Sequence, residues 1–417
     1  MIIWFAMLIP FLGCALAYKL WRKKFVWWEL ILPSVACCLF ILVTKFTIEK
    51  SMLTDTQYRG GIIVEARYYE YWSTWIHETC SERYACGSHM EGSGNNRHSV
   101  TDYCTRYYDC SHCDENRAYW EVYDDQGHSW GVPEAEYNRL KSQWSATPKF
   151  VNLNRSITKH GDCGQDGNMY NIRWDGGMLD VESSTWETTY DNHVQVSKSN
   201  FDLKDVSKDE AKKYGLFDYP KVNYYKQINI LGLDSMPFID QSHKNGANKL
   251  FEYFNGTYGP KRKLRVFILM FNNQAMDVAI KQKNYWDGGN KNEVVICIDV
   301  DKNTGKLNWV YPFTWGENKR ISVDLREDIM NMQTLDFTKL YHIVDTATVG
   351  FTYRDFKQFD YLSVDPPTWE VWMVYLVTLA ITISILLYGY RNEFEGEDDG
   401  EVISKSKLTR GPKDYRE

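Results

Sequence analysis

The 417 residues contain no G-x-S-x-G, no H-E-x-x-H, no G-x-x-x-x-G-K-[ST] and no G-x-G-x-x-G pattern. Those absences exclude the nucleophile elbow, the zincin helix and both glycine-rich phosphate cradles as readable chemistries. His77 precedes Glu78 without the second histidine of a zincin, and the nine histidines form no defensible acid/base pair with a carboxylate. Positive charge is in short supply as well. With 48 Lys plus Arg against 55 Asp plus Glu, the formal charge is -7, so no global basic field favours nucleic acid. A mean hydropathy of -0.48 excludes a polytopic transporter made mostly of spans. Locally, however, it is charge that is missing: Met1 to Tyr18 carries none. Phe11-Leu12-Gly13-Cys14 and Ala15-Leu16-Ala17 offer loose cleavage sites, but the basic region that precedes a signal's apolar run is absent, which favours an uncleaved span.

Three apolar runs are present. Residues 1–18 and 26–44 form a transmembrane hairpin within 1–45, and Val371 to Tyr390 lies within a third span at 369–390, bracketed by Glu370 and Arg391. Trp27, Trp28, Trp369, Trp372, Tyr388 and Tyr390 stand where interfacial aromatic belts belong. The loop 19–25 carries Lys19, Arg22, Lys23 and Lys24 with no acid, so the positive-inside bias places it in the cytoplasm. The region between the hairpin and the third span is then extracytoplasmic. Residues 391–417, with the acidic stretch Glu393 to Glu401, read as a disordered cytoplasmic tail. The implied location is the cytoplasmic (inner) membrane.

The fold class expected is α+β, with the outer region in two parts. Residues 46–220 are rich in Tyr, Trp and Cys, and segments such as Ile62 to Tyr71 and Tyr119 to Tyr123 alternate like strands. Asp124 to Gly127 reads as a hairpin turn, and Pro133 opens a helix whose Tyr137, Leu140 and Trp144 share a face. Ser207, Glu210 and Gly215 mark another helix by a capping box and a stop. Residues 221–368 read as an α/β part. Leu250, Phe251 and Phe254 make a helical stripe, Leu264 to Phe271 an apolar strand, Gln274 to Tyr285 a helix and Glu293 to Asp299 a second strand, so the two strands should be parallel. Leu307 to Tyr311 adds a strand, and two helices follow around 322–332 and 337–348.

Six of the ten cysteines, Cys80, Cys86, Cys104, Cys110, Cys113 and Cys163, lie in the first outer part, and an even number in an extracytoplasmic segment argues for disulfides. Zinc is the alternative: Cys110-Ser111-His112-Cys113 is a C-x-x-C, and Cys80, Cys86, Cys104 and His89 could complete ligation. Cys14, Cys37, Cys38 and Cys297 read as packing residues. Asp299 to Gly305 spaces oxygen ligands as calcium loops do, yet lacks their sixth-position glycine and distal Glu, so a hairpin turn is favoured. His160 to Asn168 reads likewise. The aromatic clusters Tyr68 to Trp75 and Tyr107 to Trp120 could stack on sugars or bases, but core filling is the simpler expectation.

Between Tyr285 and Val295, the order helix, Trp286, Gly288, Gly289, Asn290, Lys291 and apolar strand resembles TPM domains, which are membrane-tethered α/β modules. The resemblance covers residues 249–348 and implies a divalent-metal-dependent phosphoester hydrolase as an alternative function. Bottom-up, the same turn is structural: Gly288, Gly289 and Asn290 sit where positive φ is expected, and Trp286 closes a helix carrying Met276, Ala279 and Ile280. Tyr69-Glu70-Tyr71-Trp72 and Leu216 to Pro220 resemble segments of uncharacterised membrane proteins of large tailed phages and prophages, a likeness that implies no reaction. The leading expectation is a non-enzymatic membrane-anchored protein, without cofactor, whose partners are the bilayer and an envelope or membrane protein. Zinc sensing by the Cys cluster is the remaining alternative, with zinc or calcium as the cofactors it or a metal loop would bring.

Overall fold

The computed structural model describes residues 2–20, 31–93, 97–362 and 366–392. They divide into two compact units, one of 1–55, 189–202 and 356–417, the other of 56–188 and 203–355. The basic loop beyond Leu20, the first residues of the expected second span and the tail from 393 lie outside the described residues.

The first unit is built on three helices. A 3-10 turn, Ile2–Met7, leads into Leu8–Leu20, and Ile31–Leu53 and Thr368–Asn392 pack with it. Two helical segments, Ile3–Leu20 and Thr368–Arg391, are long and apolar enough to cross a membrane. Ile3 and Ala6 pack with Ile41 and Val374, whereas Cys14 and Ala17 pack with Leu386. Cys14 Sγ also lies 3.8 Å from Ser34 Oγ. The first and last helices therefore run parallel, and the middle one runs against them. Small and weakly polar side chains make the close contacts: Cys37 Sγ is 3.5 Å from Thr382 Oγ1, whose hydroxyl bonds back to Thr378 O at 2.8 Å.

The helix starting at Ile31 does not end at Thr44, where the apolar run does; it continues to Leu53. Lys45 pairs with Glu49 one turn on and lies 5.1 Å over the Trp4 ring, so charge ends the apolar stretch without ending the helix. Asn192 N then bonds Leu53 O at 2.7 Å, and Tyr190 Oη donates to Asp55 Oδ2 at 2.8 Å. Tyr190 and Phe201 meet Phe356 and Phe359 edge to face, completing this end of the unit.

The second unit holds two main sheets. The first, ordered β7-β6-β1-β9-β8 with β10 also on β1, comprises β1 (Thr54–Tyr69), β6 (Tyr119–Asp124), β7 (Ser129–Val132), β8 (Lys149–Val151), β9 (Met169–Arg173) and β10 (Ser183–Asp191). Between β1 and β6 the chain makes β2 (Trp72–Ile76), β3 (Thr79–Glu91), β4 (His98–Asp109) and β5 (His112–Asn116), which stand apart from it. Helix Glu134–Gln143 covers the sheet, and Tyr137, Leu140 and Trp144 bury the expected face against Ile63, Ala66, Val122 and Ile172. The Asp124 carboxylate accepts from Gln126 N and His128 N, and Gly127 takes φ 89°, which makes the anticipated hairpin turn.

The other sheet has the order β11-β12-β13-β14: β11 (Ile230–Leu231), β12 (Arg265–Asn272), β13 (Glu293–Val300) and β14 (Leu307–Thr314). β12 and β13 are parallel across helix Asp277–Tyr285, as their apolar runs require, and β14 returns antiparallel. Val266, Ile268 and Met270 face helices Gln241–Arg262, Arg320–Asn331 and Phe337–Thr348; Phe267, Leu269 and Phe271 face Asp277–Tyr285 and Trp286. The chain is thus mixed α+β.

Residues on both sides of position 220 belong to one compact unit. A β-carbon on Gly256 of the 241–262 helix would lie 2.9 Å from Ile62 Cγ1 and 3.0 Å from Gly61 O, so this helix packs directly on the β1 backbone. Beside that contact, the buried Glu182 carboxylate accepts from Arg139 at 2.8 Å and Lys249 at 2.6 Å, and Lys249 reaches Glu252 at 2.9 Å. Three acids (Glu136, Glu182 and Glu252) thus share two cations across the junction.

Candidate functional site

β2 pairs with β5 and β3 with β4, all antiparallel, so residues 72–91 and 98–116 form one two-stranded ribbon with an irregularity at His77-Glu78 and Cys110-Ser111. Its β3–β4 part has no buried face: nearly every residue of β3 and β4 is exposed. Ser73 N bonds Gln165 O and Trp75 N bonds Thr158 O, each at 2.9 Å, which holds the ribbon's root to the 158–168 loop. Beyond the root, the described residues of β3 and β4 are almost all exposed.

The six outer cysteines form three disulfides, Cys80–Cys110, Cys86–Cys104 and Cys113–Cys163, with Cα separations of 5.7, 5.6 and 5.9 Å. Two bridge the arm, and the third ties its root to the loop. In this state the sulfurs of Cys80, Cys86, Cys104, Cys110 and Cys113 are bonded to sulfur, so the five-cysteine zinc set does not assemble. Cys14, Cys37 and Cys297 are buried and Cys38 half-buried, as packing residues would be.

The arm has two chemically distinct faces. Ala85 opposes Tyr103 and Ser81 opposes Tyr107, so both tyrosines share one face with Arg83, whose guanidinium lies 5.0 Å over the Tyr103 ring. The other face carries Cys80 opposite Tyr108, the Glu82–Arg106 ion pair at 3.0 Å, and Tyr84 opposite Cys104. Tyr107 is 74 % exposed and Tyr103 58 %. Core filling therefore describes only part of the aromatic clusters: Tyr68 stacks between Trp120 and Tyr170 beside Tyr137, but Tyr103, Tyr107 and Tyr108 point to solvent.

The Trp286 to Lys291 turn is organised around a carboxylate of the chain itself. Glu293 is fully buried; Asn290 N donates to its Oε2 at 2.8 Å, and Asn290 Nδ2 and Tyr219 Oη donate to Oε1. Burial raises the pKa of Glu293 against the lowering effect of these bonds, and burial together with Glu293 pushes Tyr219 well above the usual phenol range. Gly288 N and Gly289 N bond Lys283 O and Trp286 O at 2.8 Å each. The donors a phosphate would need are thus already engaged. Positive φ falls on Gly288 and Gly289, as expected, but on Asp287 in place of Asn290, because Asn290 is held by Glu293. Trp286 is buried and donates to Phe217 O, while its helix buries Val278, Ala279 and Gln282 and leaves Ile280 48 % exposed. Lys291 lies 5.5 Å over the Tyr353 ring.

Asp299 to Gly305 links β13 to β14. Asp301 Oδ1 accepts from Asn303 N, Thr304 N and Thr304 Oγ1 at 2.9 to 3.0 Å, an Asx-type turn closed by Gly305 at φ 69°. Asp299 is buried and directed elsewhere, accepting from Gln274 N and Asn308 Nδ2. The oxygens do not converge on one point. In the His160 to Asn168 stretch, His160 and Cys163 exchange backbone bonds at 3.1 Å, a second local turn.

No protein-family model matches the chain, and a search of curated proteins finds no match.

Proposed function

We propose that this is a membrane-anchored protein whose outer unit recognises a protein partner through the stapled β-arm. One observation carries the reading: twenty-five residues of β3 and β4, tyrosine-rich and nearly all exposed, are held by two disulfides although they contribute little to either sheet's core. An isolated two-stranded hairpin is marginal in water. Bridges closing loops of 18 and 30 residues would each stabilise it by about 3 kcal/mol. Stabilising an arm without a core has its use in preorganisation, which lowers the entropic cost of binding, and tyrosines bring large contact area with few rotatable bonds.

Bilayer anchoring is supported by the two candidate spans and the helix that packs antiparallel between them. With the basic 19–25 loop inside, the positive-inside bias supports a region between the second and third helices outside the cytoplasm. Three disulfides suit that compartment. The Trp286 turn is read as architectural, since Asn290 N already donates to the Glu293 carboxylate of the chain itself.

The test is the double substitution Tyr103→Ser and Tyr107→Ser in the full chain. The complex extracted in mild detergent should lose its partner and drop in size while all three disulfides persist. An unchanged complex would contradict the proposal.

A further inference from the structure

We propose that Glu78, Cys80, Cys110 and His112, at the irregularity in the arm, form a zinc site that is created when the Cys80–Cys110 disulfide is reduced. One carboxylate oxygen of Glu78 and the two sulfurs all lie within 4.8 Å of one another, and His112 Nδ1 is 4.0 Å from Glu78 Oε2. Ligands about 2.3 Å from a tetrahedral zinc ion stand about 3.7 Å apart. Reduction frees the two sulfurs to separate toward that spacing beside the Glu78 carboxylate, with His112 the neighbouring imidazole at the same irregularity. Two thiolates, an imidazole and a carboxylate are a donor set that zinc accepts.

The scaffold beneath these side chains also includes backbone pairing. Cys110 N donates to Glu78 O at 3.1 Å, Glu78 N donates to Ser111 Oγ at 3.1 Å, Cys80 stands opposite Tyr108, and His112 stands opposite Ile76. Backbone pairing beside the loop-bound root keeps the four positions adjacent in sequence register, and zinc replaces the staple that reduction removes. The group is partly exposed, so both reductant and metal have access. Among the described residues, neither Cys86–Cys104 nor Cys113–Cys163 has such a set of metal-ligating neighbours.

The exchange balances with a dithiol reductant. It gives two electrons and two protons to the disulfide; the Cys80–Cys110 bond breaks, two thiols form, and the reductant closes its own disulfide. Zinc then binds both sulfurs as thiolates and releases the two protons to water. The arm's staple is thereby replaced by a metal bridge at the same place. This proposal is independent of whether the arm has a protein partner.

The experiment uses the full chain in detergent, reduced anaerobically with a phosphine and treated with iodoacetamide, with and without zinc chloride. In the wild type, peptide mass spectrometry should show zinc slowing alkylation of Cys80 and Cys110 at least about tenfold while Cys86 and Cys104 stay reactive. Glu78→Gln and His112→Ala should each weaken zinc by at least about tenfold, the scale of a lost metal-site contact. Cobalt(II) added to the reduced wild type should give the visible bands of tetrahedral coordination, and added to the oxidised protein should give none. Equal alkylation of all four cysteines in the presence of zinc, or protection unaffected by both substitutions, would overturn the site.

Discussion

Gly13 faces Thr382 so closely that a β-carbon at position 13 would lie 2.9 Å from Thr382 Cγ2. The first helix and the last are packed together there, with Cys14 and Ala17 buried on the same side. The first apolar run is therefore a structural member of the bundle. Mass spectrometry of the membrane-extracted protein should recover residues 1–20 attached to the rest of the chain. Gly13→Leu, which forces a branched side chain into this contact, should lower the melting temperature, whereas Leu12→Ala at a 68 % exposed position should leave it nearly unchanged.

The Glu182, Lys249 and Glu252 cluster predicts a pH dependence of known sign. Burial, then the charge of Glu182, raise the Glu252 carboxyl to about 7, against the opposing pull of Lys249. A carboxyl raised in the folded state favours folding when protonated, so its contribution is full below the ordinary value of 4.5 and is lost as pH rises through about 7. The loss is at most about 3 kcal/mol. Denaturant titrations at pH 5.5 and pH 8 should show the wild type weakening more than Glu252→Gln over that interval. Equal pH dependence in the two proteins would remove Glu252 as its source.

Trp286 packs 5.0 Å from the Tyr219 ring and 5.5 Å from that of Phe267. Trp286→Ala should cost about 3 to 5 kcal/mol by equilibrium unfolding, while Lys291→Ala should stay within about 0.5 kcal/mol. If Lys291→Ala preserved stability and yet abolished a metal-dependent phosphatase activity of the wild type, the turn would be a site and not a brace.

Much of the scaffold was legible because it follows from local chemistry. The parallel pair β12 and β13 announces itself by two apolar runs around a helix, and Ser207 with Gly215 brackets its helix as a cap and stop should. The Tyr137 face and the Asp124 turn likewise need only nearby residues. Long-range pairing is what the sequence concealed. Alternation in β3 and β4 is the same for a solvated arm as for a half-buried sheet, so Tyr107 could be read as core. Glu182 and Glu252 are 70 residues apart in the chain and meet only through Lys249. Cysteine connectivity was equally hidden, since six cysteines permit fifteen pairings. Asp287 instead of Asn290 takes positive φ because Glu293 claims Asn290, a contact that no spacing rule encodes.

The orientation of the chain gives a further expected outcome. Asn245 is exposed on the second unit. A cysteine introduced there should react with a membrane-impermeant maleimide on cells whose inner membrane is intact. Labelling only after that membrane is opened would invert the topology.

A photo-activatable phenylalanine analogue placed at Tyr107 in the full chain probes recognition by the arm most directly. Irradiation in living cells should join the chain to one discrete protein, with no adduct when the analogue replaces Lys302 in the distant β13–β14 turn. The adduct should also vanish when Cys86 and Cys104 are both changed to alanine, because an unstapled arm is no longer preorganised. Equal cross-linking from positions 107 and 302, or none from 107, would contradict a recognition function for the arm.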